Sequence, residues 1–315
     1  MTARYASSYM ELQEKLKDWS NKLTDISATC GEAPIDVDNR FDLELNPTDF
    51  QYICRRRAAA DVIIPDEPFA YCSCPRDAKK GWACGKRDVC CPNNNDTQFA
   101  YTVLPKKGNK KTQWRCIPAD QRVIFECNSK CSCDESCPNR VVQKGRQIRV
   151  CISKTADRGW GVKTCFTIPP GTFVTEYIGE IIGIEEARRR TKEEGKSDDP
   201  RIYSSYLFDL DLDDPHNSLY SIDSKWSGNV SRFFNHSCDP NMVVRGVYVE
   251  CQDKDLPHLA FFTNRQVLAG EELTFSYFYK PAQSDPKQPK AKKRKIAKEK
   301  KCLCGADNCC GELRI

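Results

Sequence analysis

Twenty cysteines are spread unevenly over this 315-residue chain, and their spacing restricts the fold more than any other feature. Cys72, Cys74, Cys84, Cys90 and Cys91 form one knot; Cys127, Cys131, Cys133 and Cys137 form a second. Nine is an odd number for disulfides, and the N-terminus, Met1 to Tyr5, leads into no apolar stretch of the kind a secretory signal carries. Clustered thiols expected to stay reduced point to metal. Three tetrahedral zinc ions need twelve ligand positions. Six thiols used once and three shared between two metals supply them, whereas independent zinc fingers would leave one thiol over. Such closed sites hold structure, because no coordination position is left for water. A third group, Cys302, Cys304 and Cys309, has C-x-C-x4-C spacing and is one ligand short. Cys238, in the stretch Asn235-His236-Ser237-Cys238-Asp239-Pro240-Asn241, is the expected fourth, so one zinc would fold the tail over that stretch.

Around these knots the pattern is mainly β. Residues 8–27 read as an amphipathic helix with Leu12, Leu16, Trp19, Leu23 and Ile26 on its apolar face. Ser8 and Glu11 suit a capping box, and Glu11 and Lys15 an i,i+4 pair. Residues 28–70 read as irregular with short extended pieces such as Phe50 to Cys54, and Lys106 to Lys111 as a loop. From Gln147 onward short β-rich runs follow one another: Val174 to Ile182, Tyr206 to Leu212, Leu219 to Asp223, Val247 to Cys251, Leu259 to Thr263 and Glu271 to Tyr277. In the second, alternation places Asp209 and Asp211 on one face. Only Glu185 to Glu194 reads as a further helix, and the charged stretch after it, to about Pro200, as a solvated insertion.

Charge is as uneven as cysteine. The net charge is +5, yet Lys287 to Lys301 alone carries +8, leaving −3 for the rest. Residues 281–301, with Pro281, Pro286 and Pro289, read as a flexible basic linker compatible with a nuclear-import address. No apolar run approaches the roughly 20 residues of a membrane span.

Four motifs in order carry a resemblance: Arg158-Gly159-Trp160-Gly161; Tyr177-Ile178-Gly179-Glu180; Asn235 to Asn241; and Gly270-Glu271-Glu272-Leu273-Thr274-Phe275-Ser276-Tyr277. Together they resemble the signature of SET-domain protein lysine methyltransferases. The nine-cysteine block resembles the pre-SET motif, and the last cysteines resemble the post-SET tail. That block, with Cys127-Asn128-Ser129-Lys130-Cys131, Asn139 to Gly145 and Tyr206 to Asp211, looks like the suppressor-of-variegation class, which methylates lysine 9 of histone H3. The resemblance implies a SET fold of several small curved sheets. It divides the chain into an N-terminal helix (1–28), a flanking region (29–71), a pre-SET three-zinc cluster (72–139), the SET catalytic domain (140–280), the linker (281–301) and the post-SET zinc tail (302–315).

The same resemblance implies S-adenosylmethionine as cofactor and about four zinc ions: three on the nine pre-SET cysteines and one on Cys238, Cys302, Cys304 and Cys309. Tyr277 looks like the catalytic tyrosine, and Tyr177 and Tyr206 like walls of the lysine channel and cofactor pocket. Arg158, Gly159, Trp160 and Gly161 resemble the cofactor loop, and Asn235 and His236 the cofactor-binding pair, with Arg232 in support. Phe275, two residues before the catalytic tyrosine, implies two or three methyls rather than one. Expected partners are the histone H3 tail and chromodomain-bearing heterochromatin proteins; the expected place is chromatin in the nucleus. Three residues depart from the family pattern: Ser276 for Asp, Cys310 for Arg, and Ile315 for an aromatic residue. Nothing before residue 70 resembles a chromodomain. A SET enzyme with another substrate stays open, as does a catalytically inactive SET scaffold, although Tyr277, Asn235 and His236 are intact. A zinc-rich nucleic-acid-binding protein fits less well, since the positive charge is confined to the linker.

Overall fold

The computed structural model describes residues 9–74, 76–77, 81–82, 84, 100–103, 115–117, 123–194, 206–212, 214, 217–277 and 300–313. The 106–111 loop, most of the basic linker, the stretch 195–200, Cys90, Cys91 and Ile315 lie outside them.

The expected N-terminal helix runs from Tyr9–Thr29 and is called α1. Leu12, Leu16 and Leu23 are fully enclosed, which contributes roughly 1.5–3 kcal/mol for each side chain removed from water. Trp19, on the same face, meets Trp160 edge-on at 5.6 Å and Phe233 at 6.0 Å. Ile26 corrects the helical pattern: it faces solvent, and the adjacent Ser27 is buried instead. The cause is Arg146, whose guanidinium is fully enclosed. It donates to Ser27 Oγ (3.3 Å) and to the carbonyls of Ala33 (2.6 Å), Pro34 (3.3 Å) and Ile148 (2.6 Å). Glu32 lies 3.6 Å away as its counter-charge. A buried cation needs hydrogen-bond acceptors; both terminal nitrogens of Arg146 find them although its Nε does not, and the last turn of α1 offers one of them a hydroxyl where periodicity alone would place an apolar side chain.

The remainder is a set of small sheets, as expected. One sheet orders Ile35–Asp38, Val150–Lys154 and Trp160–Thr164, the last two forming a hairpin. A second joins Phe173–Glu176, His258–Thr263, Met242–Tyr248 and Val123–Phe125. A third joins Leu207–Asp209, Tyr220–Asp223, Glu180–Gly183 and Arg57–Ala58. The strand expected over 174–182 is therefore split between two sheets. At the break, a Cβ on Gly179 would lie 2.3 Å from the Asp223 carbonyl oxygen. Only glycine permits that approach. Likewise only Thr274–Phe275 of the expected run 271–277 pairs as a strand, in parallel with Asn235–His236. The second helix, α2, spans Ile184–Glu194.

The cysteine-rich region is fastened to the second sheet by Glu126. This carboxylate is fully buried and accepts five hydrogen bonds: from Tyr101 Oη (2.6 Å), the backbone N–H groups of Val141, Val142 and Gln143, and Gln143 Nε2. The three N–H groups belong to the start of the 3-10 turn Val142–Lys144, where unpaired donors favour an anion.

Candidate active site and metal centres

The parallel pairing of Asn235–His236 with Thr274–Phe275 brings two distant motifs side by side. Asn241 fixes them there. Its side-chain amide donates to the Glu272 carbonyl (2.7 Å) and accepts from the Thr274 N–H (2.9 Å). His236 is buried; its Nδ1 accepts from the Tyr277 N–H at 3.1 Å, and its Nε2 lies 3.4 Å from Cys238 Sγ. One imidazole thus links the 277 backbone to the tail cysteines.

Five aromatic rings gather on this support. Phe275 lies 4.8 Å from Tyr277, 4.9 Å from Phe261 and 6.1 Å from Phe208. Tyr177 lies 5.3 Å from Phe208 and 6.2 Å from Phe261. Both tyrosine hydroxyls are held inside the structure. Tyr277 Oη donates to the Phe234 carbonyl at 2.6 Å, and Tyr177 Oη is 2.6 Å from both the Tyr206 carbonyl and Ser224 Oγ. Burial pushes both phenols well above their usual range, so neither is a phenolate near neutral pH. Tyr277 nevertheless keeps 38% of its surface exposed, which leaves the group reachable from outside.

Beside the aromatic group stands a polar one. Glu272 receives Arg158 Nη2 at 2.6 Å and Asn235 Nδ2 at 2.8 Å, while Asn235 also donates to the Trp160 carbonyl at 3.3 Å. A Cβ on Gly161 would come within 2.5 Å of the Glu272 carboxylate and 3.0 Å of Asn235 Nδ2, so a larger residue there would displace these two side chains from their present bond. Gly159 turns the hairpin with a φ of 71°. The Arg232 guanidinium lies 4.3 Å from the Tyr206 ring and 4.7 Å from Phe50, with Nε donating to the Lys225 carbonyl. The structure therefore gathers Arg158, Trp160, Gly161 and Asn235 around Glu272. It gathers Tyr177, Phe275 and Tyr277 with Phe208 and Phe261. Glu272, Phe208 and Phe261 carried no individual role in the sequence. Glu272 lies within a quoted motif, but nothing about its spacing marks it as the common acceptor.

Seven of the nine expected cluster cysteines are described, and all seven are buried together. Cys72, Cys84, Cys127 and Cys133 have sulfurs mutually within 4.8 Å, and Cys137 Sγ lies 3.7 Å from Cys127 Sγ. In the tail, Cys238, Cys302, Cys304 and Cys309 meet within 4.8 Å of one another. An all-thiol set at this spacing suits zinc, and its closed donor shell suits a structural ion. Among the described residues no helix is long and apolar enough to cross a membrane.

Comparison with known proteins brings two family models to the chain. Residues 159–278 match the SET domain model and residues 27–140 the Pre-SET motif model. Su(var)3-9 of Drosophila melanogaster, a histone-lysine N-methyltransferase, is 40% identical over 277 residues, covering 88% of this chain and 40% of that protein. SUV39H2 of Bos taurus, another histone-lysine N-methyltransferase, is 37% identical over 317 residues, covering 99% of this chain and 70% of that one. The chain belongs to the Su(var)3-9/SUV39H family. It spans between 40% and 70% of the length of these two family members. Among solved structures, the Neurospora SET domain protein DIM-5, a histone lysine methyltransferase, has a TM-score of 0.64 at 32% identity, over 81% of this chain and 98% of that one. KRYPTONITE, solved with DNA, an H3(1-15) peptide and SAH, has a TM-score of 0.64 at 27% identity, over 89% of this chain and 51% of that one.

Proposed function

We propose that this family member is an S-adenosylmethionine-dependent protein lysine methyltransferase that adds two or three methyl groups to lysine 9 of histone H3. The observation that carries the reading is the aromatic group of Tyr177, Phe208, Phe261, Phe275 and Tyr277 set directly against the Asn235–His236 segment. A lysine amine must be neutral to act as a nucleophile, and at pH 7 that costs about 4–5 kcal/mol from its ordinary pKa. Apolar walls lower this cost by desolvating the ammonium. With both phenols held neutral, Tyr177 and Tyr277 serve as fixed dipoles that orient the amine rather than as bases. Orientation is the larger contribution, because displacement at a methyl group needs the reacting atoms in line.

The cofactor supplies a methyl group on a positively charged sulfonium. Arg158, Gly159, Trp160, Gly161, Asn235 and the His236 backbone are the residues proposed to hold it, with Tyr206 and Arg232 as a flanking wall. Glu272 fixes the positions of Arg158 and Asn235 by accepting a hydrogen bond from each. Zinc would be held by the nine pre-SET cysteines, Cys90 and Cys91 included, and by Cys238, Cys302, Cys304 and Cys309. The H3 tail is the proposed partner and nuclear chromatin the proposed place of action, with chromodomain-bearing heterochromatin proteins as further partners. Methyl transfer from labelled cofactor to H3 tail peptides tests the reading: label should enter the unmodified peptide and be lost when its lysine 9 is replaced by arginine. Equal labelling of both peptides refutes the assignment of that lysine as the target.

A further inference from the structure

Five thiols, not four, converge on the tail site. Besides the four that meet within 4.8 Å, Cys310 places its Sγ 3.6 Å from Cys238 Sγ and directs its backbone N–H at the same sulfur, 3.5 Å away. A tetrahedral zinc takes four ligands, so one thiol exceeds what the ion needs. Cys310 is exposed, whereas Cys302 is buried and Cys238, Cys304 and Cys309 are partly so. Gly311, which follows it, is held in place: its carbonyl accepts from the Cys302 N–H at 3.0 Å and its own N–H points at Cys309 Sγ, 3.4 Å away, so Cys310 stays beside the site.

We propose that Cys310 is an oxidation site whose disulfide partner is Cys238, with hydrogen peroxide as the oxidant. The inference rests on the reading of Cys238, Cys302, Cys304 and Cys309 as a zinc site. In the first step the Cys310 sulfur attacks a peroxide oxygen; the O–O bond breaks, a sulfenic acid forms and one water leaves. In the second, the Cys238 sulfur attacks the sulfenic sulfur, the S–S bond forms and a second water leaves. The two thiols together give two electrons, and the peroxide takes them. Only Cys302, Cys304 and Cys309 would then remain to hold zinc, so the site would release it. Because Cys238 Sγ is 3.4 Å from His236 Nε2, and His236 Nδ1 accepts from the Tyr277 N–H, loss of the tail also disturbs the support of the aromatic group.

The test uses the zinc-loaded full chain treated with hydrogen peroxide, with zinc release followed by a chromogenic chelator and disulfides mapped by mass spectrometry without reduction. In reducing buffer, Cys304→Ser should lack one zinc that Cys310→Ser retains. On peroxide, that one zinc should leave the wild type at least about tenfold faster than it leaves Cys310→Ser, with a peptide linking Cys238 to Cys310. Reductant and added zinc should restore it. Equal release rates, a link through another cysteine pair, or absence of the tail zinc from reduced Cys310→Ser would each overturn the proposal. If Cys304→Ser lacks no zinc, the zinc reading of the tail fails and the proposal fails with it.

Discussion

Phe275 is packed between Phe208, Phe261 and Tyr277, and its para position carries no polar atom. A hydroxyl there would offer the amine, or a water beside it, a second hydrogen bond and fill space that a methyl group needs. Without it, a mono- or dimethylated amine can turn its lone pair back toward the methyl donor. Phe275→Tyr is therefore expected to shift product toward monomethyl-lysine while keeping the first transfer within a few-fold, as read by mass spectrometry of product peptides. Tyr277→Phe removes the hydroxyl bonded to the Phe234 carbonyl and should lower kcat by at least about tenfold with little change in fold, checked by initial rates and circular dichroism. Burial raises the Tyr177 and Tyr277 phenols above their usual range. The unfolded chain would release these protons near pH 10 while the folded chain holds them. Their share of stability is thus complete below pH 10 and falls as pH rises further, visible as a declining Tm. Catalysis should rise from pH 7 to 9 as lysine deprotonates, and a flat profile would show that another step limits turnover. At this scale the sequence motifs were legible because they name side chains. Glu272 as common acceptor was not, since its partners Arg158 and Asn235 are brought to it only by tertiary packing.

At the scale of elements, helix α1 and the order of the short strands were readable from apolar spacing, but their ends were not. The run 174–182 looks continuous in β propensity, and only the contact of Gly179 with the Asp223 backbone divides it between sheets. Ile26 and Ser27 exchange places for a similar reason: the deciding partner, Arg146, lies more than a hundred residues away. Glu126 is another such partner. Removing its carboxylate leaves the N–H groups of Val141 and Val142 without their acceptor inside the protein. Glu126→Ala should accordingly cost about 3 kcal/mol or more in denaturant unfolding, and a loss under about 1 kcal/mol would mean water replaces the carboxylate without penalty.

At the scale of the whole molecule, metal and charge set behaviour. Cysteine spacing foretold the two thiol gatherings, because ligand counting needs no knowledge of the backbone path. Elemental analysis of the reduced chain should find about four zinc ions, and chelation should unfold the cysteine regions, since closed zinc sites contribute folding energy directly. A stoichiometry near two would contradict the shared-ligand cluster. Outside the basic segment the chain carries −3, and Asp209 stands on the edge strand Leu207–Asp209 of the third sheet. Attraction of a basic tail to such a body should weaken as salt is added, so rates on H3 peptide should fall with ionic strength. Equal rates on an acidic peptide of matched length would contradict this. The most direct measurement of the central claim is a mass-resolved time course of the zinc-loaded chain with S-adenosylmethionine and an unmodified H3 tail peptide. Peptide di- and trimethylated at lysine 9 should accumulate after a transient monomethyl form; a product that stops at one methyl, or a peptide left unmodified, would contradict it.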